Sequence, residues 1–137
     1  MTIEWAVPTV LAGSPRPGRH LGTRVVVPRA VVGAWIADVR SQGVVSIICL
    51  LDQEQLSLYQ ELTGDLLALY RDAGFHVVHE PVRDHSEPPL TERQLERVWV
   101  AFQELPKPVV IHCSAGIGRT GMAIEHILRQ IADRRHA

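Results

Sequence analysis

Cysteine is scarce: Cys49 and Cys113 are the only two in 137 residues. A disulfide framework needs more, and nothing in the sequence points to an oxidising compartment, so both are expected to be free thiols. An excess of charge of one sign is equally lacking, because 14 Lys plus Arg face 15 Asp plus Glu for a net charge of -1. That excludes a dedicated nucleic-acid or membrane-surface binder held by bulk electrostatics, and no nucleic acid is expected as a stable partner. Any anion site must be local. No apolar run approaches the ~20 residues that span a bilayer. The apolar stretch from Trp5 to Ala12 follows Glu4 rather than a basic segment and is broken by Pro8, so it reads poorly as a signal peptide. Together these absences predict a soluble, cytoplasmic protein. Metal-ligand spacing is missing as well: of the seven histidines, His76 and His79 are three apart on a predicted strand and face opposite sides. No spacing matches a zinc site, and neither a metal nor a cofactor is expected.

What is present fits one globular domain spanning residues 1–137. Hydrophobic residues make up 46% and charged residues 21%, which sets aside a disordered chain or a fibrous repeat. No internal repeat, low-complexity tract or linker interrupts the chain. Four segments carry helical apolar stripes: Val32/Trp35/Ile36/Val39, Leu66/Leu69/Tyr70/Ala73, Leu95/Val98/Trp99/Phe102 and Ile124/Ile127/Leu128/Ile131. The third also has a capping box, Thr91 with Gln94, and a hydrophobic staple, Leu90 with Leu95. Between the stripes lie short runs rich in β-branched residues, Val44 to Leu51, Phe75 to Val78 and Val109 to Ile111, which read as buried strands. Gly43 and Gly74 stand where left-handed helix ends are expected. Helix alternates with strand, which predicts an α/β fold with a central, mostly parallel sheet flanked by helices. Trp5 to Leu11 and Arg24 to Val27 are candidates for short edge strands, and Gly13 to Gly22 reads as a loop.

The chemistry concentrates after the Val109 strand, in His112-Cys113-Ser114-Ala115-Gly116-Ile117-Gly118-Arg119-Thr120-Gly121. A strand, a glycine-containing turn and a helix N-terminus aim successive backbone N–H groups into one concavity of phosphate size. Ser114, Ala115, Gly116, Ile117 and Gly118 would supply those N–H groups, with Gly116 and Gly118 letting the backbone bend. At its mouth, Cys113 would meet N–H groups and a guanidinium, surroundings in which a thiol serves as a nucleophile without an adjacent base. Arg119 offers a planar fork matched to two phosphate oxygens. Thr120 is placed to donate its hydroxyl to the thiolate, and His112 to order the loop from behind.

This segment, with its CX5R core, resembles the signature of the cysteine-dependent protein tyrosine phosphatase superfamily. Its six fixed positions would recur by chance on the order of once in 10⁶ chains of this size. The short chain, and Trp5-Ala-Val-Pro8 followed by Leu11-Ala12-Gly13, further resemble the small atypical dual-specificity phosphatases. The resemblance implies hydrolysis of phosphate monoesters through a cysteinyl-phosphate on Cys113, with phosphotyrosine and phosphoserine/threonine proteins as the substrate class. A non-hydrolytic phosphate-binding module, or a phosphatase for phosphoinositide, nucleotide or RNA 5′ phosphates, is the alternative. It also asks for an upstream aspartic acid to protonate the leaving oxygen. Asp84, 29 residues before Cys113, sits in a proline-flanked segment of that kind, with His85 and Glu87 as alternative acids.

Three further expectations concern the surroundings. Cys49 reads as a buried core residue, although in some relatives that the chain resembles a cysteine near the end of this strand forms a reversible disulfide with the nucleophile. Arg16, Arg19, His20 and Arg24 read either as an exposed polar loop or as a rim that recruits a phosphorylated substrate. The signature ends at Gly121, leaving 16 residues, one striped helix closing in Asp133-Arg134-Arg135-His136-Ala137. Relatives usually continue with further helices that help position the hydrolytic water, so the resemblance implies a minimal or truncated form with slow dephosphorylation and a burst.

Overall fold

A computed structural model describes residues 3–135; the ends of the 1–137 domain, His136 and Ala137 included, lie outside the described residues. Five strands form one sheet: β1 (Glu4–Val7), β2 (Leu11–Ser14), β3 (Ser46–Cys49), β4 (His76–His79) and β5 (Val109–His112). Their spatial order is β1-β2-β5-β3-β4, with β1 antiparallel to β2 and every other pair parallel. The helices are α1 (Arg29–Ser41), α2 (Gln53–Leu56), α3 (Leu66–Asp72), α4 (Glu92–Glu104) and α5 (Gly118–Arg135). No helix among the described residues is long and apolar enough to cross a membrane.

Both faces of the sheet are covered, as continuous apolar strands require. β3 and β5 are buried along their whole length, and their side chains alternate between two cores. Ile47, Cys49 and Val110 join Val32, Trp35 and Val39 of α1 and Leu66 and Tyr70 of α3 on one face. Ile48, Leu50, Ile111 and Cys113 join Leu95, Val98 and Phe102 of α4 and Ala123 and Ile127 of α5 on the other. Helix ends follow local chemistry. Thr91 and Gln94 form the expected reciprocal capping box, and Gly43 and Gly74 take φ of 89° and 96°, the left-handed conformation that closes α1 and α3.

Several expectations need correction. The segment read as one strand from Trp5 to Leu11 is a hairpin, with β1 and β2 separated by a turn. β2 is no edge strand but lies between β1 and β5; its Leu-Ala-Gly-Ser sequence lacks the β-branched residues that mark buried strands. Gly13 is thereby inside the sheet, where a Cβ would come within 2.9 Å of Ile124. Residues 24–27 are not a strand; Val27 instead donates its N–H to the Leu58 carbonyl at 2.9 Å. On α5 the predicted stripe is displaced: Leu128 is 38% exposed, whereas Arg119, Thr120, Ala123 and Ile127 are buried. The helix begins inside the signature, so its first turn packs against the sheet instead of solvent.

The parallel arrangement puts the carboxyl ends of β2, β3, β4 and β5 along one rim of the sheet. Residues 15–22, 50–52, 80–90 and 113–117 all leave the sheet there, which is where ligands bind in open parallel sheets.

Candidate active site

β5 delivers His112 and Cys113 to that rim, and the chain turns at once into α5. The turn is fixed from three sides. Leu50 donates its N–H to the His112 carbonyl at 2.9 Å, Arg16 donates its N–H to the Ser114 carbonyl at 3.0 Å, and Gly121 closes the first helical bond to Ile117 at 2.8 Å. Gly116 adopts φ of 79°, and its N–H points at Cys113 Sγ at 3.3 Å. A Cβ on Gly116 would lie 2.7 Å from backbone atoms of Ser14 and Pro15, whereas one on Gly118 would meet nothing. The two glycines are therefore not equivalent, contrary to the sequence reading: only Gly116 is needed for backbone reasons. We expect Gly116→Ala to lower phosphatase activity by about 100-fold or more and Gly118→Ala by less than about threefold, read as kcat/KM on p-nitrophenyl phosphate.

His112 is completely buried behind the turn. Its Nδ1 lies 3.3 Å from the Cys113 carbonyl, which can only accept, so Nδ1 carries the proton and Nε2 accepts from the Tyr70 hydroxyl at 2.9 Å. Trp35 and Tyr70 enclose the ring. Burial pushes the imidazole down from 6.5 to about 4, with Arg16 and Arg119 adding to the effect and the Cys113 carbonyl opposing it. The unfolded chain thus takes a proton near pH 6.5 that the folded protein resists until about pH 4. Stability is full above the first value and falls between them, by about 3 kcal/mol in all. Urea titrations at pH 7.5 and 4.5 should show this loss, and a His112→Gln variant should lack it.

Arg119 is buried, and its Nη1 is held by three acceptors: Val82 carbonyl at 2.8 Å, Gln55 Oε1 at 2.9 Å and Leu50 carbonyl at 3.3 Å. Nη2 is buried without a hydrogen-bond partner and faces Asp84 Oδ1 at an ion-pair distance of 3.3 Å. Asp84 is fixed in turn. Gln55 Nε2 donates to its Oδ2 at 3.0 Å, the Asp84 N–H reaches Asp52 Oδ2 at 3.3 Å, and the His85 N–H donates to Oδ1 at 3.0 Å. Cys113, Ser114, Ala115, Gly118, Arg119 and Asp84 line a single cavity of about 650 Å³.

The structure thus brings together Cys113, Arg119 and Asp84. Glu87 does not line this cavity, and His85, which does, projects into solvent with its ring 3.5 Å from Asp84. Ile117 is 76% exposed and turned away. Thr120 differs from expectation: its hydroxyl is buried with no partner and makes no bond to the thiol. Arg16 is corrected too. It is buried, not a rim residue, and its guanidinium donates to Tyr59 Oη and the Gly22 carbonyl, each at 3.1 Å. Arg19 and Arg24 do line the cavity, whereas His20 does not. Cys49 sits in the core on the opposite face from Cys113, and burial pushes its thiol up to about 12.

Gln55 is the residue that sequence reasoning missed. It sits on α2, whose start is a second capping box: Asp52 accepts the Gln55 N–H at 2.9 Å. The Asp-x-x-Gln spacing was there to be found. The Gln55 side chain also ties Asp84 to Arg119, with Asp52 holding the Asp84 N–H, a link between residues far apart in sequence that no local pattern reveals.

A parallel α/β sheet with a CX5R loop at the carboxyl end of a buried strand is the architecture of the dual-specificity and tyrosine phosphatases. The chain belongs to the family described as "Polymorphic toxin system, DSP-PTPase phosphatase", whose profile matches residues 31–132. It is 36% identical over 64 residues to the receptor-type tyrosine-protein phosphatase eta of Gallus gallus, a match covering 42% of this chain and 4% of that protein. Among solved structures it is similar to kinase associated phosphatase, with a TM-score of 0.69 at 20% identity, over 90% of this chain and 66% of that one. A putative phosphatase of Shewanella putrefaciens CN-32 superposes with a TM-score of 0.64 at 21% identity, over 94% and 72% of the two chains.

Proposed function

We propose that the chain hydrolyses phosphate monoesters in two steps at the Cys113 cavity, with phosphotyrosine and phosphoserine/threonine proteins as substrates. The observation that carries this reading is the convergence on one cavity of Cys113, Asp84 and an Arg119 Nη2 that makes no hydrogen bond and is faced only by the Asp84 carboxylate. In the free protein the Asp84 carboxylate stands beside the guanidinium where a phosphate would bind. An entering phosphate takes over Nη2 and leaves Asp84 on the leaving-group side, still tethered through Gln55.

Cys113 Sγ then attacks phosphorus in line, and an S–P bond forms as the ester P–O bond breaks. The leaving oxygen takes a proton from Asp84, which has picked one up from solvent once the phosphate displaces it from Arg119. Water next attacks the cysteinyl-phosphate, giving its proton to the Asp84 carboxylate as the S–P bond breaks. Phosphate leaves and the thiolate returns. Arg119 and the loop N–H groups hold the charge spread over the phosphoryl oxygens throughout. These steps use only this chain's residues and water.

Asp84→Asn tests the assignment of the acid. Turnover should fall about 100-fold for phenyl phosphate, whose leaving group needs the proton, and less than about tenfold for p-nitrophenyl phosphate. An effect equal for both would place the acid elsewhere. Steady turnover by the wild type, measured as phosphate release, separates hydrolysis from phosphate binding alone.

A further inference from the structure

Next to the Cys113 cavity lies a second one of about 700 Å³, which plays no part in the chemistry above. Ala30, Val31 and Ala34 form one wall from the first turns of α1, Pro15, Trp35 and Ala115 form a second, and the segment from Arg16 to His20 borders the rest. The α1 side of the cavity is hydrocarbon, and Arg16, Arg19 and His20 border the opposite side. Even the indole N–H of Trp35 is engaged, with Ser14 Oγ at 3.2 Å and the Pro15 carbonyl at 3.3 Å. Ala30 and Ala34 are exposed, one helical turn apart, and too small to fill the space they border.

Two residues belong to both cavities, Ala115 of the signature loop and Arg19. The spaces therefore adjoin, with Arg19 at the boundary. Its Nε is buried and has no hydrogen-bond partner, a donor whose burial is costly until an acceptor arrives. The segment that carries Arg19 is pinned by Arg16, whose bonds to Tyr59 and the Gly22 carbonyl anchor residues 16–22 from inside. The pair of cavities is thus preformed.

Read outward from Cys113, the order is phosphate site, hydrogen-bond donor, apolar cavity. A phosphopeptide presents the complementary order: phosphate, main-chain carbonyl, apolar side chain of a neighbouring residue. A sugar would lose hydration against Val31 and the two alanines of the α1 wall, where an apolar side chain loses none. We propose that this cavity is a substrate subsite for an apolar side chain adjacent to the phosphorylated residue of a peptide, with the Arg19 guanidinium at the boundary donating to the peptide carbonyl between them. The proposal rests on the phosphatase reading of the Cys113 cavity and names the substrate feature that this chain selects.

The test compares phosphotyrosine peptides carrying leucine or glycine on either side of the phosphotyrosine, with p-nitrophenyl phosphate as a reference too small to reach the second cavity. In the wild type a leucine on one side should raise kcat/KM roughly tenfold over glycine. Ala34→Phe, or Ala30→Phe if the first variant does not fold, fills the cavity and should bring that ratio to within about twofold, with p-nitrophenyl phosphate hydrolysis retained. Equal rates for the leucine and glycine peptides in the wild type, or a leucine preference that survives both fillings, would overturn the subsite. If p-nitrophenyl phosphate is not hydrolysed, the phosphatase reading itself fails. Calorimetric binding of the same peptides to Cys113→Ser then decides the subsite by itself: a leucine preference supports it, and equal affinities reject it.

Discussion

Replacing Cys113 with serine should lower kcat on p-nitrophenyl phosphate by at least about 10⁴-fold and leave phosphate or vanadate binding within about threefold of wild type. The two halves of this expectation have separate causes. Chemistry is lost because a serine hydroxyl is a far weaker nucleophile than a cysteine sulfur, and the N–H donors and guanidinium at this position cannot take its proton. Binding survives because the loop is held by backbone contacts rather than by sulfur. Arg16 grips the Ser114 carbonyl, His112 the Cys113 carbonyl, and Gly116 keeps its turn through close contact with Ser14 and Pro15. A phosphate-release assay and calorimetry read the two quantities separately. Turnover that persists in the serine variant would reject covalent catalysis through this residue.

Arg119→Lys should cost about 10²–10³-fold in kcat/KM although the charge is unchanged. The guanidinium has two jobs at once. Nη1 satisfies the Leu50 and Val82 carbonyls and Gln55 Oε1, while Nη2 faces only the Asp84 carboxylate, which an entering phosphate would displace. An ammonium has three donors at one point. It can face the carbonyls or the phosphate, but it cannot span both, and choosing the phosphate takes the guanidinium donor from the Val82 carbonyl, while the Leu50 carbonyl keeps only the Val82 N–H. Arg119→Lys should therefore also unfold at lower urea concentration than wild type, whereas Cys113→Ser should not. A lysine variant with near-native kinetics would remove the bidentate role assigned to Arg119.

The loop from Cys113 to Arg119 was readable because phosphate chemistry constrains consecutive residues, and α4 was readable because Thr91, Gln94 and its apolar stripe all lie within one local window. Other features depend on partners distant in the chain. Arg16 looks like a surface cation until Tyr59 and the Gly22 carbonyl are brought around it. β2 lacks branched side chains because Gly13 must pass close to Ile124 and Thr120 of α5, so the usual strand signal is absent for a packing reason. Leu128 continues a helical spacing that the sheet does not meet, since the helix face is set by the burial of Arg119 and Thr120 at its start. Gln55 belongs to a four-residue helix with little stripe to detect. Asp84 was found by its proline-rich neighbourhood, but its tether to Arg119 was not.

The place of β2 beside β5 also bears on where the folding unit begins. The family profile starts at residue 31, beyond the β1–β2 hairpin and the Arg16 segment. A fragment trimmed to the matched residues would bare the hydrogen-bonding edge of β5, the strand that ends in Cys113, and would remove the backbone against which Gly116 turns. An open edge of a buried, β-branched strand is a template for pairing with other chains. Boundaries drawn from sequence similarity alone would thus yield an aggregation-prone fragment, with the motif intact and the support beneath it gone.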